Sequence, residues 1–402
     1  MKIWSSKSDK SHVLLRGHLL FFLILWSFTV FAGNDNNIVP GAERTELYFP
    51  LLKYKKIAVV ANPASLVGRV NLVDTLVNCG IRVTRIFCPE HGFRKFDEAG
   101  KEIRGGVDTL TGIQVVSLYG KKKKPDPDDM EKIDLVLFDL QDVGVRFFTY
   151  ISTLTYVMEA CAENHIPLLI LDRPNPNGFY VDGPVLDSTC RSFIGMHPVP
   201  IVYGMTIGEY ARMVNGEGWL KNGVACKLDV ISIDNYSHAS LYELPVRPSP
   251  NLPDINAIYL YPSLGLFEGT PVSVGRGTEF PFEVFGHPEM KGFSFSFIPR
   301  ILKGFSTNPP CGNERCLGID LRDFYKTHPR MFGRINLSWV TMAFRDLGSQ
   351  PSFFTPFFDL LAGNHQLKEQ IKKGLPESEI RKSWQPEIDK FMKIRQKYLL
   401  YP

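Results

Sequence analysis

The chain has 402 residues, 44% of them hydrophobic, with 29 prolines and 33 glycines, which suits a globular protein large enough for two domains with substantial cores. Its formal charge of +4 gives no reason to expect nucleic acid as a partner: four basic residues and one acid precede Gly33, so that segment carries +3 and the remainder +1. Seven cysteines, an odd number, make no disulfide framework at this size, and no Cys-x-x-Cys, His-Glu-x-x-His or clustered histidine encodes a metal site.

Lys2, Lys7, Lys10 and Arg16 precede an apolar run, Leu19 to Trp26, that continues through Phe28 to Phe31. Ala32 and Gly33 are small, and Asn34-Asp35-Asn36-Asn37 is polar. This order predicts a secretory signal over residues 1–32, cleaved near Ala32, and an exported protein, periplasmic or extracellular. The run is short for a span of about 20 residues, so no stable membrane insertion is expected once the signal is gone; an uncleaved anchor is the alternative. No Cys follows the run, which argues against a lipoprotein anchor.

Four apolar runs follow: Lys56–Ala61, Val83–Cys88, Asp134–Leu140 and Pro167–Leu171. Continuous runs of this kind suit parallel strands buried on both faces. Helical stretches separate them, Leu72–Cys79 and Ile151–Glu163, the latter with Leu154, Val157, Met158 and Cys161 on one face. The alternation predicts an α/β fold with helices on both sides of a parallel sheet, over a first domain from Thr45 to Asp234. That domain continues with a helix over Thr206–Val214, opened by a Thr206/Glu209 capping box, and a strand over Lys227–Ile233. Tyr242 to Asn251 is too proline-rich for regular structure and reads as a rigid crossover to a second domain, residues 242–402. There, Gly265 to Gly286 is glycine-rich and Phe293–Ile298 is strand-like. A last helix starts near Pro386-Glu387, with Ile388, Phe391, Met392, Arg395 and Leu399 on one stripe. Cys79, Cys88, Cys161 and Cys226 read as small buried residues, whereas Cys311 and Cys316 are spaced for a local disulfide in an exported protein. Lys121 to Lys124, followed at once by aspartates, reads as a solvated loop.

Each strand ends in polar residues at the same end, where an open α/β sheet binds ligands. Val83–Cys88 ends in Pro89-Glu90-His91-Gly92, which sets a carboxylate beside an imidazole. Asn62 follows the first strand, Gln141-Asp142 and Arg146 the third, and Arg173 and Asn175 the fourth. In the second half, Glu268 and Arg276 stand among glycines that permit close approach of a ligand. Carboxylates, arginines, amides and aromatic rings at a crevice suit a sugar, with apolar faces and hydroxylated edges. No Walker loop, nucleophile elbow or dinucleotide fingerprint is present. The pattern favours glycoside chemistry over acyl or phosphoryl transfer and calls for no cofactor.

Six segments in order carry a closer likeness: Pro89 to Arg94, Asp139 to Arg146, Leu171 to Pro176, Gly204 to Glu209, Pro248 to Pro253, and Phe267-Glu268-Gly269-Thr270 through Gly275 to Thr278. Together they resemble the NamZ-type exo-β-N-acetylmuramidases over nearly everything after the signal. The resemblance implies a Rossmann-like domain followed by a smaller α/β domain, with the site in the cleft between them. It implies release of N-acetylmuramic acid from the non-reducing end of peptidoglycan-derived muropeptides or disaccharides, and it maps the family glutamate onto Glu90. A non-catalytic wall-fragment binding protein using the same cleft is the alternative, and hydrolysis of an ester or amide in a similar ligand a weaker one. Glu90 is the expected general acid and His91 its orienting neighbour; the second carboxylate is Glu268, Asp142 or Asp139, with participation by the substrate's acetamido group equally open. Asn62, Arg146, Arg173, Asn175 and Arg276 are the substrate-binding candidates, one of the arginines pairing with the lactyl carboxylate of muramic acid. Two positions depart from the family pattern: Tyr203 replaces its usual His, and Lys95 its usual Gly.

Overall fold

In a computed structural model, which describes residues 37–98, 100 and 105–402, the four apolar runs lie side by side in one sheet. Strand β1 (Lys56–Ala61) pairs in parallel with β2 (Arg82–Cys88) on one side; the antiparallel edge strand β3 (Gly106–Val107) and then β4 (Gln114–Ser117) come next along the chain. On its other side β1 pairs with β5 (Leu135–Asp139), followed by β6 (Leu168–Leu171) and β7 (Leu228–Ile231), all parallel. The sheet order is β3-β4-β2-β1-β5-β6-β7, a doubly wound arrangement that reverses direction between β1 and β5.

The runs are continuous because both faces need apolar side chains. Ile57, Val59, Ala61, Leu135, Leu137, Leu169 and Leu171 point to one face, against α1 (Thr45–Leu52) and α2 (Leu72–Asn78). Their neighbours Ala58, Val60, Val136, Phe138, Leu168 and Ile170 point to the other, against α3 (Tyr150–Glu163) and α4 (Ile207–Gly216). Each of the larger side chains among them (Ile, Val, Leu, Phe), fully buried, contributes about 1.5–3 kcal/mol. The capping box read from the sequence is present: Thr206 Oγ1 accepts the Glu209 N–H at 3.2 Å and a Glu209 carboxylate oxygen accepts the Thr206 N–H at 2.9 Å.

No helix or strand forms between Ser232 and Asp254. The smaller lobe begins with α5 (Ile255–Leu264). It contains an antiparallel sheet of β8 (Val284–His287), β9 (Phe295–Phe297) and β10 (Cys316–Asp320), in the order β8-β10-β9. Its Ile258, Phe267, Phe285, Phe358 and Trp384 belong to the same hydrophobic cluster as Phe138 of β5, so Ile38–Pro402 form one compact unit.

Some expectations change. The last helix, α6, spans Glu377–Arg395 with Pro386 inside it, because Ile380, Trp384, Ile388 and Phe391 all bury and outweigh the one backbone bond that proline cannot make. Met392 on the expected stripe is exposed. Cys79 is exposed at the end of α2, and Cys311 and Cys316 are free thiols that donate to the Pro271 and Glu314 carbonyls respectively. The lysine run is not merely solvated: Lys122 pairs with Asp126 and Asp129, Lys124 with Glu159 and Glu163, and Lys123 lies over the Phe193 ring. The expected signal lies outside the described residues, among which no helix is long and apolar enough to cross a membrane.

Candidate active site

The crevice at the sheet's reversal point is filled by the protein's own side chains. Arg173 and Asp139 form a bidentate ion pair there, Nε to Oδ1 at 2.5 Å and Nη2 to Oδ2 at 2.9 Å, and Nη2 also reaches the Leu66 carbonyl. Asn62 is fully buried: its Nδ2 donates to the Tyr150 hydroxyl at 2.9 Å and its Oδ1 accepts the Ala64 N–H at 2.9 Å. Asn175 donates to the Met205 carbonyl and accepts the Asn177 N–H. These three substrate-binding candidates hold the loops together and are not among the residues that line the cavity described next.

The open cavity, about 820 Å³, lies one strand over, at the end of β2. Pro89 stops β2, and His91 (φ +75°) and Gly92 (φ +83°) turn the chain through the left-handed region. Histidine is among the side chains that tolerate this conformation best outside glycine. Glu90 faces the cavity half-buried; its Oε1 accepts the Gly100 N–H at 3.0 Å and its Oε2 the Thr149 hydroxyl at 3.2 Å, and Tyr119 lines the same cavity. His91 Nδ1 lies 2.9 Å from the Asp97 carbonyl, an atom that only accepts, so Nδ1 carries the proton. Burial lowers the pKa of the imidazole, Arg276 adding to this while Glu90 and Asp97 oppose it. A neutral ring therefore offers Nε2 to the cavity as an acceptor.

The smaller lobe supplies the opposite wall. Glu268 sits in the 3-10 turn Gly265–Gly269, and its Oε1 accepts Arg276 Nη2 at 2.6 Å and Nε at 3.0 Å. Gly275 and Gly277, both at positive φ, set Arg276 in a tight turn over the Phe282 ring. Its Nη1 makes no hydrogen bond among the described residues. Asn251 was not singled out from its residue type. It is only 4% exposed, lines the cavity, and its Nδ2 has no hydrogen-bond partner. A buried amide left without an internal partner is open to a hydrogen bond from a water or a ligand. Its place in Pro248-Ser249-Pro250-Asn251-Leu252-Pro253, one of the six segments, was the available signal. Tyr119, Phe147, Phe148 and Tyr261 add aromatic surface.

Of the nine candidates, then, Glu90, His91, Glu268 and Arg276 come together. Asp142 is buried away from the cavity lining; its Oδ2 accepts the Tyr203 hydroxyl and the Gly144 N–H, and its Oδ1 has no partner. Burial pushes its carboxyl up to about 7, against the pull of those donors. Tyr203, fully buried and bonded to Asp142, is thus a core residue. Arg146 is fully buried and meets no acid among the described residues: Nη1 donates to the Pro184 and Val199 carbonyls and Nη2 to the Leu361 carbonyl, and burial lowers its pKa to about 9. The expected roles of Arg146 and Arg173 as lactyl clamps give way because both are consumed inside the fold.

Two family models match the chain, described as the N-terminal and C-terminal parts of the exo-beta-N-acetylmuramidase NamZ, over residues 57–256 and 259–401. The chain belongs to the NamZ family. It is 37% identical over 374 residues to the peptidoglycan beta-N-acetylmuramidase NamZ of Bacillus subtilis (strain 168), covering 88% of this chain and 89% of that one. Two crystal structures of DUF1343 family proteins from Bacteroides fragilis NCTC 9343 share the fold. One has a TM-score of 0.84 at 45% identity, covering 90% of this chain and 99% of that one; the other has 0.76 at 27% identity, covering 91% and 99%. The NamZ match spans both lobes, and so both walls of the cavity.

Proposed function

We propose that the cavity hydrolyses the β-glycosidic bond of a terminal N-acetylmuramic acid in peptidoglycan fragments, with Glu90 as the acid that protonates the leaving oxygen. The observation that carries this reading is the meeting of Glu90 and His91 with Glu268, Arg276 and the unpartnered Asn251 in one ring-lined cavity, in a chain of the NamZ family.

Glu90 is held by the Gly100 N–H and the Thr149 hydroxyl, so its carboxyl is aimed before substrate arrives. His91, its proton fixed on the Asp97 side, accepts a hydroxyl proton from the sugar or from water through Nε2. Glu268 is the second carboxylate, oriented by its ion pair with Arg276 to stabilise the oxocarbenium-like transition state. The free Nη1 of Arg276 takes the lactyl carboxylate, and Asn251 hydrogen-bonds the sugar's acetamido group or a hydroxyl. The N-terminal segment exports the chain, which brings the cleft to wall material outside the cytoplasm; N-terminal sequencing of the mature protein checks this, a retained Met1 on cytosolic protein counting against it.

The test is incubation with the disaccharide of N-acetylmuramic acid β-linked to N-acetylglucosamine, beside chitobiose as control. Release of free muramic sugar from the first alone is expected. Binding of the disaccharide without cleavage would overturn the hydrolase reading in favour of a wall-fragment receptor.

A further inference from the structure

A second cavity of about 790 Å³ borders the first, and Phe193 lines both. Its walls are two stacked ring pairs. Phe193 and Tyr156 lie parallel within 11°, their centroids 6.2 Å apart, and Trp219 stacks on His197 at 5.5 Å and 22°. His197 is 1% exposed, with Nδ1 on the Tyr210 hydroxyl at 3.0 Å and Nε2 without a partner. The loop carrying Trp219 is fixed rather than loose. Gly218, Asn222 and Gly223 adopt positive φ, and the Lys221 N–H donates to Glu159 Oε1 at 3.0 Å.

The charges at this cavity are unbalanced. Glu159 is matched by Lys124 at 3.2 Å. Arg191 and Lys221, both exposed at the rim, have no ion pair among the described residues. Flat rings with two unneutralised cations suit a sugar face bearing a carboxylate. We infer that this cavity is a distal subsite for a carboxylate-bearing sugar further along the glycan whose terminal residue occupies the main cavity, a reading that rests on the function proposed above. In a peptidoglycan strand stripped of its stem peptides, the next muramic residue carries such a group as its free lactyl carboxylate; where a stem peptide is attached, that carboxylate is an amide and the cations lose their partner.

The test compares wild type with the Arg191→Gln/Lys221→Gln double variant, whose changes lie outside the catalytic cavity. Three substrates are used: the muramyl-glucosaminyl disaccharide, its peptide-free tetrasaccharide, and the tetrasaccharide with stem peptides attached. Loss of two exposed charge contacts should raise KM for the peptide-free tetrasaccharide about threefold to tenfold. Both kinetic constants for the disaccharide should stay unchanged. An equal shift with both chain lengths, or none with either, overturns the subsite. A shift confined to the peptide-bearing chain also overturns it, since the cations would then be reading the stem. If wild type cleaves none of the three, the hydrolase reading fails separately. Titration calorimetry with the peptide-free tetrasaccharide then decides the subsite by the same criterion, weaker binding to the variant for the tetrasaccharide but not the disaccharide.

Discussion

Replacing Glu90 with Gln isolates the proton from the shape. In the wild type, Oε1 accepts the Gly100 N–H at 3.0 Å, and Oε2 takes the Thr149 hydroxyl at 3.2 Å. Glutamine keeps one oxygen for Gly100. Its new amide group meets the Thr149 hydroxyl, which accepts as readily as it donates. Glu90 is half-exposed, so the melting temperature should move little, as for other changes away from the core. The rate should fall by about 10²–10⁴-fold on the natural disaccharide, the usual worth of general-acid catalysis. That corresponds to about 2.7–5.5 kcal/mol of barrier. A nitrophenyl muramide needs little help from an acid, so its turnover should fall far less. The assay is kcat on both substrates, run beside a circular-dichroism melt. A folded variant that loses the same factor on both would refute the assignment, because a group that matters equally to good and poor leaving groups is not the proton donor.

Asn251→Ala should raise KM for the disaccharide about twofold to twelvefold, one lost hydrogen bond of about 0.5–1.5 kcal/mol, without lowering the melting temperature, since the wild-type amide has no internal partner to lose. Asp142 ionises at about 7 in the fold but at its ordinary 3.8 when unfolded. The unfolded chain therefore holds fewer protons between those values, and stability falls as pH rises through that window. Asp142→Asn removes this share, so its thermal-melt curves at pH 4 and pH 8 should differ less than those of wild type; an unchanged pH dependence would count against the buried, protonated carboxyl. Arg173→Met strands the Asp139 carboxylate and should cost about 3–5 kcal/mol in denaturant unfolding, with KM in the surviving folded fraction unchanged. A KM effect without a stability loss would return Arg173 to the substrate site.

The sheet was legible because its residues obey one local rule. Apolar runs such as Ile-Ala-Val-Val-Ala can be satisfied only by burial on both faces, and the two-residue alternation of Ile57 and Ala58 into separate clusters shows why no polar residue interrupts them. Glu90 and His91 were legible for a related reason: Pro89 ends the strand at a known edge. The arginines were not. Arg146, Arg173 and Arg276 look alike in sequence, and only three-dimensional neighbours distinguish one held by carbonyls, one paired with Asp139 and one left with a free nitrogen in the cavity. Asn251 was hidden in the opposite way, since its signal is a missing partner. The α6 start was misplaced because proline was read as a boundary, whereas the bulk of Trp384 and Ile380 upstream carries the helix through it.

The closed crevice explains where the chemistry went. In a doubly wound sheet, the reversal between β1 and β5 opens a natural cleft, but Asn62, Asp139 and Arg173 fill it and spend their polar atoms on one another and on nearby loops. What remains open is the end of β2, and it becomes a cavity only because the smaller lobe covers it. That covering is fixed by core packing: Phe147, which follows β5, lies edge-on to Tyr261 of α5, and its ring stands where a side chain on Gly265 would begin. Gly265 opens the turn that carries Glu268. The placing of Glu268 opposite Glu90 thus depends on an aromatic ring seated against a glycine inside the shared core. The two carboxylates, far apart in sequence and on different lobes, are held in register by the same burial that stabilises the fold.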